Sequence, residues 1–293
     1  MLLRQRAPGV LQGVAHGESG AVALALASIG LRRLYLLTYR GFGTLAVLFT
    51  AACRCCRFPR SRPHMSDVPR IVTSAQTGPH EDLLRRVTRG LSHVWRKPLA
   101  QHTRDAFDDA EAWRRSQGER GLILDACCGV GLSTRRLAEQ FPEHSVIGVD
   151  RSADRLSRDH GPLPDNALLV RADLVDFWRL ALATGWQPER HYLLYPNPYP
   201  KSVQLKHRWH GHPVFPAIVG LGGRLEVRSN WRVYVEEFAA AVALATGVSA
   251  PVEAHDPGAA PMTHFERKYH EHHQPLWRLV ATLDHRPQLM PTP

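Results

Sequence analysis

The stretch LILDACCGVGLSTRRLAEQ (Leu122–Gln140) decides the fold prediction. It joins a short apolar run to a turn that contains Gly129 and Gly131, and then to a run whose apolar residues recur at helical spacing. Glycine permits the tight turn and lets a ligand approach main-chain N–H groups closely. The stretch therefore predicts a buried strand, a turn open to a ligand and a helix, which together form the repeating unit of a parallel sheet.

Strand and helix patterns alternate along the rest of the chain. The run VIGVD predicts a second strand that ends in Asp150, and RLEVRS and LWRLVATL predict later strands. ALLVRADLVDFWRLAL predicts a third strand, an Asp and a helix, and HYLLYPNPYP predicts a fourth strand and the start of a loop. The runs LLRRVTRGLSHVW, HTRDAFDDAEAWRRS and VYVEEFAAAVALATG predict helices, the last of which ends at Gly247 as a C-cap. Residues 249–261 are rich in Pro, Gly and Ala and predict a loop. The alternation predicts an α/β fold with an open, mostly parallel sheet and helices on both faces.

Polar residues end four successive predicted strands, namely Asp125, Asp150, Asp173 and Asn197. In open α/β sheets, ligands bind outside the carboxyl ends of the strands. A single Asp after a strand is equally well explained by turn chemistry or by helix capping. Four such residues at successive strand ends favour one shared binding site.

The glycine turn and the strand-end acids predict a nucleotide cofactor. Asp150 lies 25 residues after Asp125 and suits a ribose diol, and Asp173 suits an adenine amine. No Lys-Ser or Lys-Thr pair follows the glycines, which disfavours a phosphate-cradling loop. The carboxylate of Asp125 would repel a dinucleotide pyrophosphate and attract the ammonium of a methionine moiety. These residues therefore favour S-adenosylmethionine over NAD.

The stretch LLYPNPYPKSVQLKHR (Leu193–Arg208) ends the fourth predicted strand in a stiff loop. Three prolines within five positions exclude the interior of a helix or of a paired strand. Prolines also restrict the unfolded chain, so this loop would hold Asn197 and Lys201 in place at low entropic cost. The loop is therefore predicted to position reacting groups at the carboxyl end of the sheet.

The formal net charge of +10 belongs mostly to residues 1–64. They contain nine arginines and a single acid, whereas residues 65–293 contribute only +2. The first segment also holds three of the five cysteines and two apolar runs, both shorter than the roughly 20 residues of a membrane helix. We expect residues 1–64 to be an atypical extension, disordered or poorly packed and upstream of a biological start at Met65. A targeting or membrane segment and a basic arm are the alternatives.

Residues 65–293 are expected to form a single domain. Adjacent Cys127 and Cys128 cannot easily bridge each other, which favours a reduced, cytoplasmic protein without stable membrane association. The histidine-rich runs HRWHGH (207–212) and YHEHH (269–273) lack cysteine partners and an H-E-x-x-H spacing. We therefore expect these histidines to lie at the surface or to face a substrate, and we predict no metal site.

Five further motifs accompany the glycine stretch: TSAQTGPHEDLL, RADLVDF, the proline loop, LGGRLEVRSNWRVYVEEF and THFERK. Their order and spacing resemble the bacterial tRNA (guanine-N(7))-methyltransferases over roughly residues 70–283. The resemblance implies a Rossmann-like methyltransferase fold, S-adenosylmethionine as methyl donor, tRNA as partner and guanine N(7) as methyl acceptor. We expect the protein to be a monomer or a homodimer.

The resemblance also assigns roles to individual positions. The predicted cofactor site comprises Asp125, Gly129, Gly131, Asp150 and Asp173. Asn197 occupies the position of the family's catalytic aspartate, and Lys201 that of a substrate-contacting lysine. The predicted substrate-binding residues besides Lys201 are Asn230, at the position of a second aspartate, and Thr263, Phe265 and Glu266 of a guanosine-contacting segment.

Asn197 and Asn230 depart from the family pattern, which has aspartate at both positions, and Tyr199 replaces a tryptophan. The N(7) atom of guanine has a free lone pair, so the reaction depends more on in-line placement than on a general base. An amide can still position the base. It does lose charge-assisted hydrogen bonds, which contribute about 1.5–3 kcal/mol each against roughly 1 kcal/mol for neutral ones.

Two alternatives follow from these departures. The first is a methyltransferase of the same scaffold that acts on an exocyclic base amine, another RNA or a small molecule, because PNPY resembles the N-P-P-Y loop of enzymes that methylate base amines. The second is a catalytically silent RNA-binding paralogue. The modest charge of residues 65–293 weakens the tRNA prediction unless the charges cluster, and the cations expected near the substrate are Lys201, Lys206, Arg208, Arg267 and Lys268.

Overall fold

The computed structural model describes Pro69, residues 71–93 and residues 95–289. The predictions for residues 1–64 lie outside the described residues. No helix among the described residues has both the length and the apolar character needed to cross a membrane.

The described residues contain a seven-stranded sheet of order β3-β2-β1-β4-β5-β7-β6. The strands are β1 Gly121–Ala126, β2 His144–Asp150, β3 Ala167–Arg171, β4 Arg190–Leu194, β5 Gly223–Ser229, β6 Val252–Ala254 and β7 Trp277–Leu283. β1 to β5 pair in parallel, whereas β7 runs antiparallel to both β5 and β6. The predicted open, mostly parallel sheet is confirmed.

Helices cover both faces of the sheet. They are α1 Leu83–Ser92, α2 Gln101–Ser116, α3 Leu132–Gln140, α4 Ala153–Leu156, α5 Leu174–Ala183, α6 Phe215–Gly220, α7 Arg232–Thr246 and α8 His264–Glu271. Successive residues of a strand point to opposite faces of the sheet, so the strands contribute side chains to two apolar clusters, one on each face. One cluster contains Phe107 of α2, Phe177 of α5, Ile218 of α6 and Phe238 of α7, and the other contains Leu137 of α3.

The C-terminal half agrees with the prediction at the end of α7 and differs from it in the loop that follows. Gly247 follows α7 with a φ of 77°, so the predicted left-handed C-cap is confirmed. The prediction of a plain loop over residues 249–261 is wrong for Val252–Ala254, which forms β6 at the edge of the sheet. Three residues are too few to show a strand pattern in the sequence. This strand forms because it pairs with β7, which is distant in the chain.

Candidate functional site

Asp125 lies at the carboxyl end of β1 and is fully buried. Its Oδ2 accepts hydrogen bonds from Ser133 Oγ at 2.6 Å and from Thr134 Oγ1 at 2.7 Å, both at the start of α3. Its Oδ1 is buried and has no hydrogen-bond partner among the described residues. Burial raises the pKa of Asp125 to about 6, although the two hydroxyl groups act to lower it. This carboxylate therefore has one unmet acceptor atom next to the glycine turn.

The glycine turn after β1 has three residues in the left-handed region, with φ 64° at Cys127, 62° at Gly129 and 78° at Gly131. Such a φ is uncommon for a residue with a Cβ, so Cys127 marks local strain. A Cβ on Gly131 would lie 2.8 Å from the side chain of Leu169, whereas a Cβ on Gly129 would enter open space. Gly131 is therefore needed for packing, and Gly129 keeps a space free beside the turn.

Asp150 ends β2 and ties that strand to the glycine turn. Its Oδ2 accepts from Gly129 N at 3.1 Å and from Arg155 Nη1 at 3.1 Å, and its Oδ1 accepts from Ser152 N at 2.8 Å. Its side chain is 5% exposed, and that of Arg155 is 43% exposed. Asp150 is thus positioned by main-chain N–H donors. Its cationic partner, Arg155, has a long side chain that is partly exposed to solvent.

Asp173 follows β3 and is the N-cap of α5, where its side chain accepts from Val175 N at 2.8 Å. The capping explanation that applies to any single strand-end Asp is therefore correct for Asp173. Capping uses Oδ1, and the residue is only partly buried. A capping role leaves the second oxygen of this carboxylate compatible with a ligand contact.

The proline loop begins directly after β4. Tyr195 and Tyr199 have φ of 54° and 47°, a conformation that bulky residues rarely adopt. Between them, Asn197 is exposed, and its Oδ1 accepts from Tyr199 N at 3.3 Å. Strained backbone of this kind persists only where the surroundings hold it, and it is concentrated at functional sites.

Arg208 is the group that holds the proline loop. Its Nε donates to the carbonyl of Tyr199 at 3.1 Å, and its Nη2 donates to the carbonyl of Lys201 at 3.3 Å. Its guanidinium also lies 4.8 Å from the ring centroid of Trp231. The prediction counts Arg208 among the cations available to the substrate. This is wrong, because the side chain is fully buried and cannot present its charge to a phosphate. Its charge serves the loop backbone.

Glu237 of α7 neutralises Arg208. Its Oε2 accepts from Arg208 Nη1 at 2.6 Å and contacts His210 Nε2 at 2.8 Å. Its Oε1 accepts from Gln76 Nε2 at 2.6 Å and from His80 N at 2.9 Å. Burial alone would raise the pKa of this carboxyl, yet the hydrogen bonds from His210 and Arg208 and the charge of Arg208 lower it to about 2.

These contacts correct the expectation that the histidines of HRWHGH lie at the surface, because His210 is fully buried against Glu237. They also give a structural role to the segment TSAQTGPH. In addition to its contacts with Glu237, this segment reaches the loop through Ser74 Oγ, which donates to the carbonyl of Pro200 at 2.7 Å. The sequence marks this segment only as polar and as one of the motifs of the family resemblance, and neither signal predicts these contacts.

The THFERK segment begins α8. Thr263 is its N-cap, and its side chain accepts from Glu266 N at 3.0 Å. Phe265 is 53% exposed, and its ring stacks on that of Tyr269 at a centroid distance of 6.2 Å. Tyr269 in turn lies 5.8 Å from the ring of Tyr195. An exposed aromatic ring supported from behind by a second ring is suited to stacking on a planar ligand.

Glu266 is fully buried and bonded on all sides by the protein. Its Oε1 accepts from Tyr195 Oη at 2.8 Å and Arg228 Nη1 at 2.8 Å, and it contacts His255 Nε2 at 3.0 Å. Its Oε2 accepts from Met262 N. Burial would raise its pKa, but the hydrogen bond from His255 and the charge of Arg228 lower it to about 2. The carboxylate of Glu266 is therefore not free to bind a ligand. It instead links α8 to the residues at the ends of β4 and β5.

The remaining predicted residues lie at the same edge of the sheet. Asn230 directly follows β5, and its Nδ2 donates to Gln274 Oε1 at 3.0 Å. Lys201 is exposed in the proline loop. Strands β1 to β5 are parallel, so their carboxyl ends lie at one edge of the sheet. The residues at or close to these ends include Asp125, Asp150, Asp173, Asn197 and Asn230. The bond between Tyr195 and Glu266 brings Thr263 and Phe265 of α8 to the β4–β5 part of that edge.

Comparisons with known proteins identify methyltransferases. Residues 119–279 match the family model Methyltransf_4, whose description is "Putative methyltransferase". A dTDP-3-amino-3,6-dideoxy-alpha-D-glucopyranose N,N-dimethyltransferase of Streptomyces fradiae is 32% identical over 105 residues, which cover 36% of this chain and 40% of that protein. A trans-aconitate 2-methyltransferase of Rhodopseudomonas palustris (strain HaA2) is 45% identical over 49 residues, which cover 17% of this chain and 19% of that protein.

The chain thus spans less than half the length of each of these two curated relatives. Among solved structures, the antibiotic-resistance methyltransferase Kmr is 20% identical, with a TM-score of 0.40 and coverage of 61% of this chain and 93% of that chain.

Proposed function

Because the chain belongs to the Methyltransf_4 family, the family of the tRNA guanine-N7 methyltransferases, we propose that it methylates N(7) of a guanine in tRNA. The chain is an S-adenosylmethionine-dependent methyltransferase, as its family and its sheet predict. The proposal concerns the methyl acceptor. It rests on the resemblance of the motifs and on the arrangement of the proline loop and α8 at one edge of the sheet.

The residues at the ends of β1 and β2 fit S-adenosylmethionine. The unmet Oδ1 of Asp125 is an acceptor suited to the ammonium of the methionine moiety, and the open space beside Gly129 allows close approach to the backbone. We assign the ribose hydroxyls to Asp150 and the adenine amine to Asp173. When bound, S-adenosylmethionine supplies a sulfonium methyl group that a base nitrogen can attack directly, with the bonding electrons passing to sulfur.

The role of the chain is to hold the guanine in line with that methyl group. Asn197 is exposed on a loop whose backbone is fixed on both sides of Pro200, since the carbonyls of Tyr199 and Lys201 both accept from Arg208. A rigid loop keeps the reacting atoms aligned without further ordering. The amide of Asn197 offers one acceptor and two donors to the polar edge of the base.

Three further residues complete the proposed acceptor site. Phe265 offers its exposed ring for stacking, and Lys201 offers a cation for a nearby phosphate. Thr263 caps α8, which presents Phe265. Glu266 acts here as a positioning residue, because its carboxylate is consumed by contacts within the protein.

The single observation that carries the proposal is the juxtaposition of the proline loop and α8 through the 2.8 Å hydrogen bond between Tyr195 and Glu266. The test is incubation of the full chain with methyl-labelled S-adenosylmethionine and unmodified tRNA, followed by nucleoside analysis. Label in 7-methylguanosine supports the proposal. Cofactor binding without label in 7-methylguanosine refutes it.

An exocyclic base amine is the second candidate acceptor, because position 197 carries an amide where the family has a carboxylate. An amide carbonyl can accept a hydrogen bond from an amine and leave the amine lone pair directed at the methyl group. The same nucleoside analysis separates the two candidates, since the label would then be found in a nucleoside methylated on its exocyclic nitrogen.

A further inference from the structure

A charged cavity of about 440 Å³ lies on the face of the sheet that carries α3. Tyr192 of β4 packs with Leu137 of α3, and Arg190 lies two residues earlier on the same strand, so it faces the same side. The cavity extends over β4, β5 and β7, and its charged lining residues are Arg190, Arg224, Glu226, Arg228 and Arg278.

The strand register places these arginines side by side. Arg190 of β4 is the register partner of Arg224 of β5, and Arg228 of β5 is the register partner of Arg278 of β7. Like charges in directly opposite positions of neighbouring strands destabilise a sheet. Neighbouring carboxylates offset this repulsion at Arg224, Arg228 and Arg278, whereas Arg190 has no ion pair among the described residues.

Carboxylates satisfy these arginines only in part. Glu226 is shared, accepting from Arg224 Nη1 at 2.9 Å and Arg228 Nε at 2.8 Å. Arg278 Nη2 donates to Glu253 at 3.0 Å, but its Nε is buried and has no partner among the described residues. Arg190 makes no ion pair within the described residues, and its guanidinium lies 4.5 Å from the ring centroid of Phe141. The cluster therefore keeps unused cationic N–H donors.

We propose that this arginine face binds phosphate groups of the RNA backbone, as a second contact surface beyond the carboxyl edge of the sheet. The inference rests on the proposed function in one respect, namely that the substrate is an RNA. Guanidinium groups match the geometry of phosphate oxygens and are the side chains best suited to bind them in pairs. The face thereby provides clustered cations in a domain whose net charge is only +2.

The position of the face agrees with this role. Its upper end is Arg228, which also binds Glu266 of α8, next to the proposed guanine site. Its lower end is Arg224, four residues or about 13 Å along β5. An RNA strand that leaves the guanine site along β5 would carry its next phosphates over these side chains.

Arg190→Gln tests the inference, because this arginine has no ion pair to break among the described residues. The affinity of the full chain for an unmodified tRNA transcript is measured by fluorescence anisotropy over a series of KCl concentrations. We expect weaker binding and a log–log salt slope reduced by about 0.7–0.9, the loss of one phosphate contact. S-adenosylmethionine affinity should not change.

The matched control is Arg104→Gln, which removes the same charge from an exposed position on α2, a helix packed on the opposite face. It should leave the slope unchanged. Equal effects of the two substitutions would overturn the inference, as would a change in oligomeric state in place of a change in RNA binding. Arg190→Lys keeps the charge and should retain most of the slope. If it loses as much as Arg190→Gln, the role of Arg190 is structural and the inference fails.

This outcome is separate from that of the proposed function. Formation of 7-methylguanosine with no difference between Arg190→Gln and Arg104→Gln would refute only the phosphate surface. An Arg190-dependent salt slope without 7-methylguanosine would refute only the guanine N(7) assignment. A chain that binds no RNA would refute both.

Discussion

The guanidinium of Arg208 and the carboxylate of Glu237 form a 2.6 Å hydrogen bond in which both side chains are completely buried. A buried ion pair is costly unless the remaining donors and acceptors are satisfied. Here they are, because Arg208 also donates to Tyr199 and Lys201 and Glu237 also accepts from Gln76. The pair thus joins α7, the proline loop and the segment that precedes α1.

The first prediction concerns this pair. Glu237→Gln leaves the charge of Arg208 buried and unpaired, so we expect it to lower the free energy of unfolding by about 3–5 kcal/mol in urea titrations at neutral pH. Glu236→Gln is the matched control, because it removes a neighbouring ion pair with the exposed Arg232, and it should cost less than about 1 kcal/mol. Similar losses for the two variants would contradict the prediction.

The same pair predicts an acid transition. The folded-state pKa of Glu237 is about 2, below its ordinary 4.5, because His210 and Arg208 outweigh the effect of burial. A lowered pKa contributes stability that is present above pH 4.5 and is lost as the pH falls towards 2. Wild-type protein should therefore lose more stability than Glu237→Gln over this interval. Parallel curves for the two proteins would show that other groups dominate.

The second prediction concerns the pH dependence of cofactor binding. Burial raises the pKa of Asp125 to about 6, so this carboxylate gains a proton as the pH falls from 7 to 5. Protonation removes the charge that we assign to the cofactor ammonium, and the affinity for S-adenosylmethionine should fall by about tenfold over this range. Titration calorimetry measures it. Asp125→Asn should bind more weakly with a flat profile, and a pH-dependent profile for this variant would refute the assignment.

The third prediction separates backbone strain from ligand space. Gly129 and Gly118 have φ of 62° and 73°, and a Cβ on either would meet no atom within 4 Å. Substitution by Ala should cost about 1 kcal/mol of stability at each position, since both backbones are left-handed. Only Gly129→Ala should weaken S-adenosylmethionine binding, by about tenfold or more, which corresponds to 1.4 kcal/mol. Equal cofactor affinities of the two variants would place the cofactor elsewhere.

The fourth prediction concerns Asn197. Asn197→Asp restores a carboxylate that can make charge-assisted hydrogen bonds to guanine, which are stronger than neutral ones by about 1 kcal/mol or more. We expect 7-methylguanosine formation at least about fivefold faster, with unchanged cofactor affinity. Asn197→Ala should be slower than wild type. If Asn197→Asp is also slower, the amide is adapted to a different acceptor, such as an exocyclic amine.

Local stereochemistry made the backbone around the candidate site predictable from the sequence. The glycine turn, the capped helix at Asp173 and the proline loop depend on residues close together in the chain, and their patterns are specific. The same holds for the order of strands and helices, because hydrophobic period and turn residues are local signals. Those parts of the prediction agree with the structure.

The partners of charged side chains were not predictable in this way. Arg208 and His210 belong to a basic, polar run typical of a surface, yet α7 supplies Glu237 and buries both. Glu266 belongs to a motif expected to contact substrate, yet its carboxylate accepts from Tyr195 of the proline loop and from Arg228 of β5. Burial of such groups depends on a partner distant in sequence.

The sequence by itself therefore determined the class of fold and the loops at the carboxyl edge, because both follow from short-range backbone preferences. It also indicated the cofactor, through the acids at the strand ends and the resemblance of the motifs. Only the tertiary structure decided which charges are buried and which are exposed. It also created the arginine face, since the strand order sets β4, β5 and β7 side by side and the register aligns Arg190 with Arg224. Electrostatic neighbours are set by this long-range pairing, which no local pattern records.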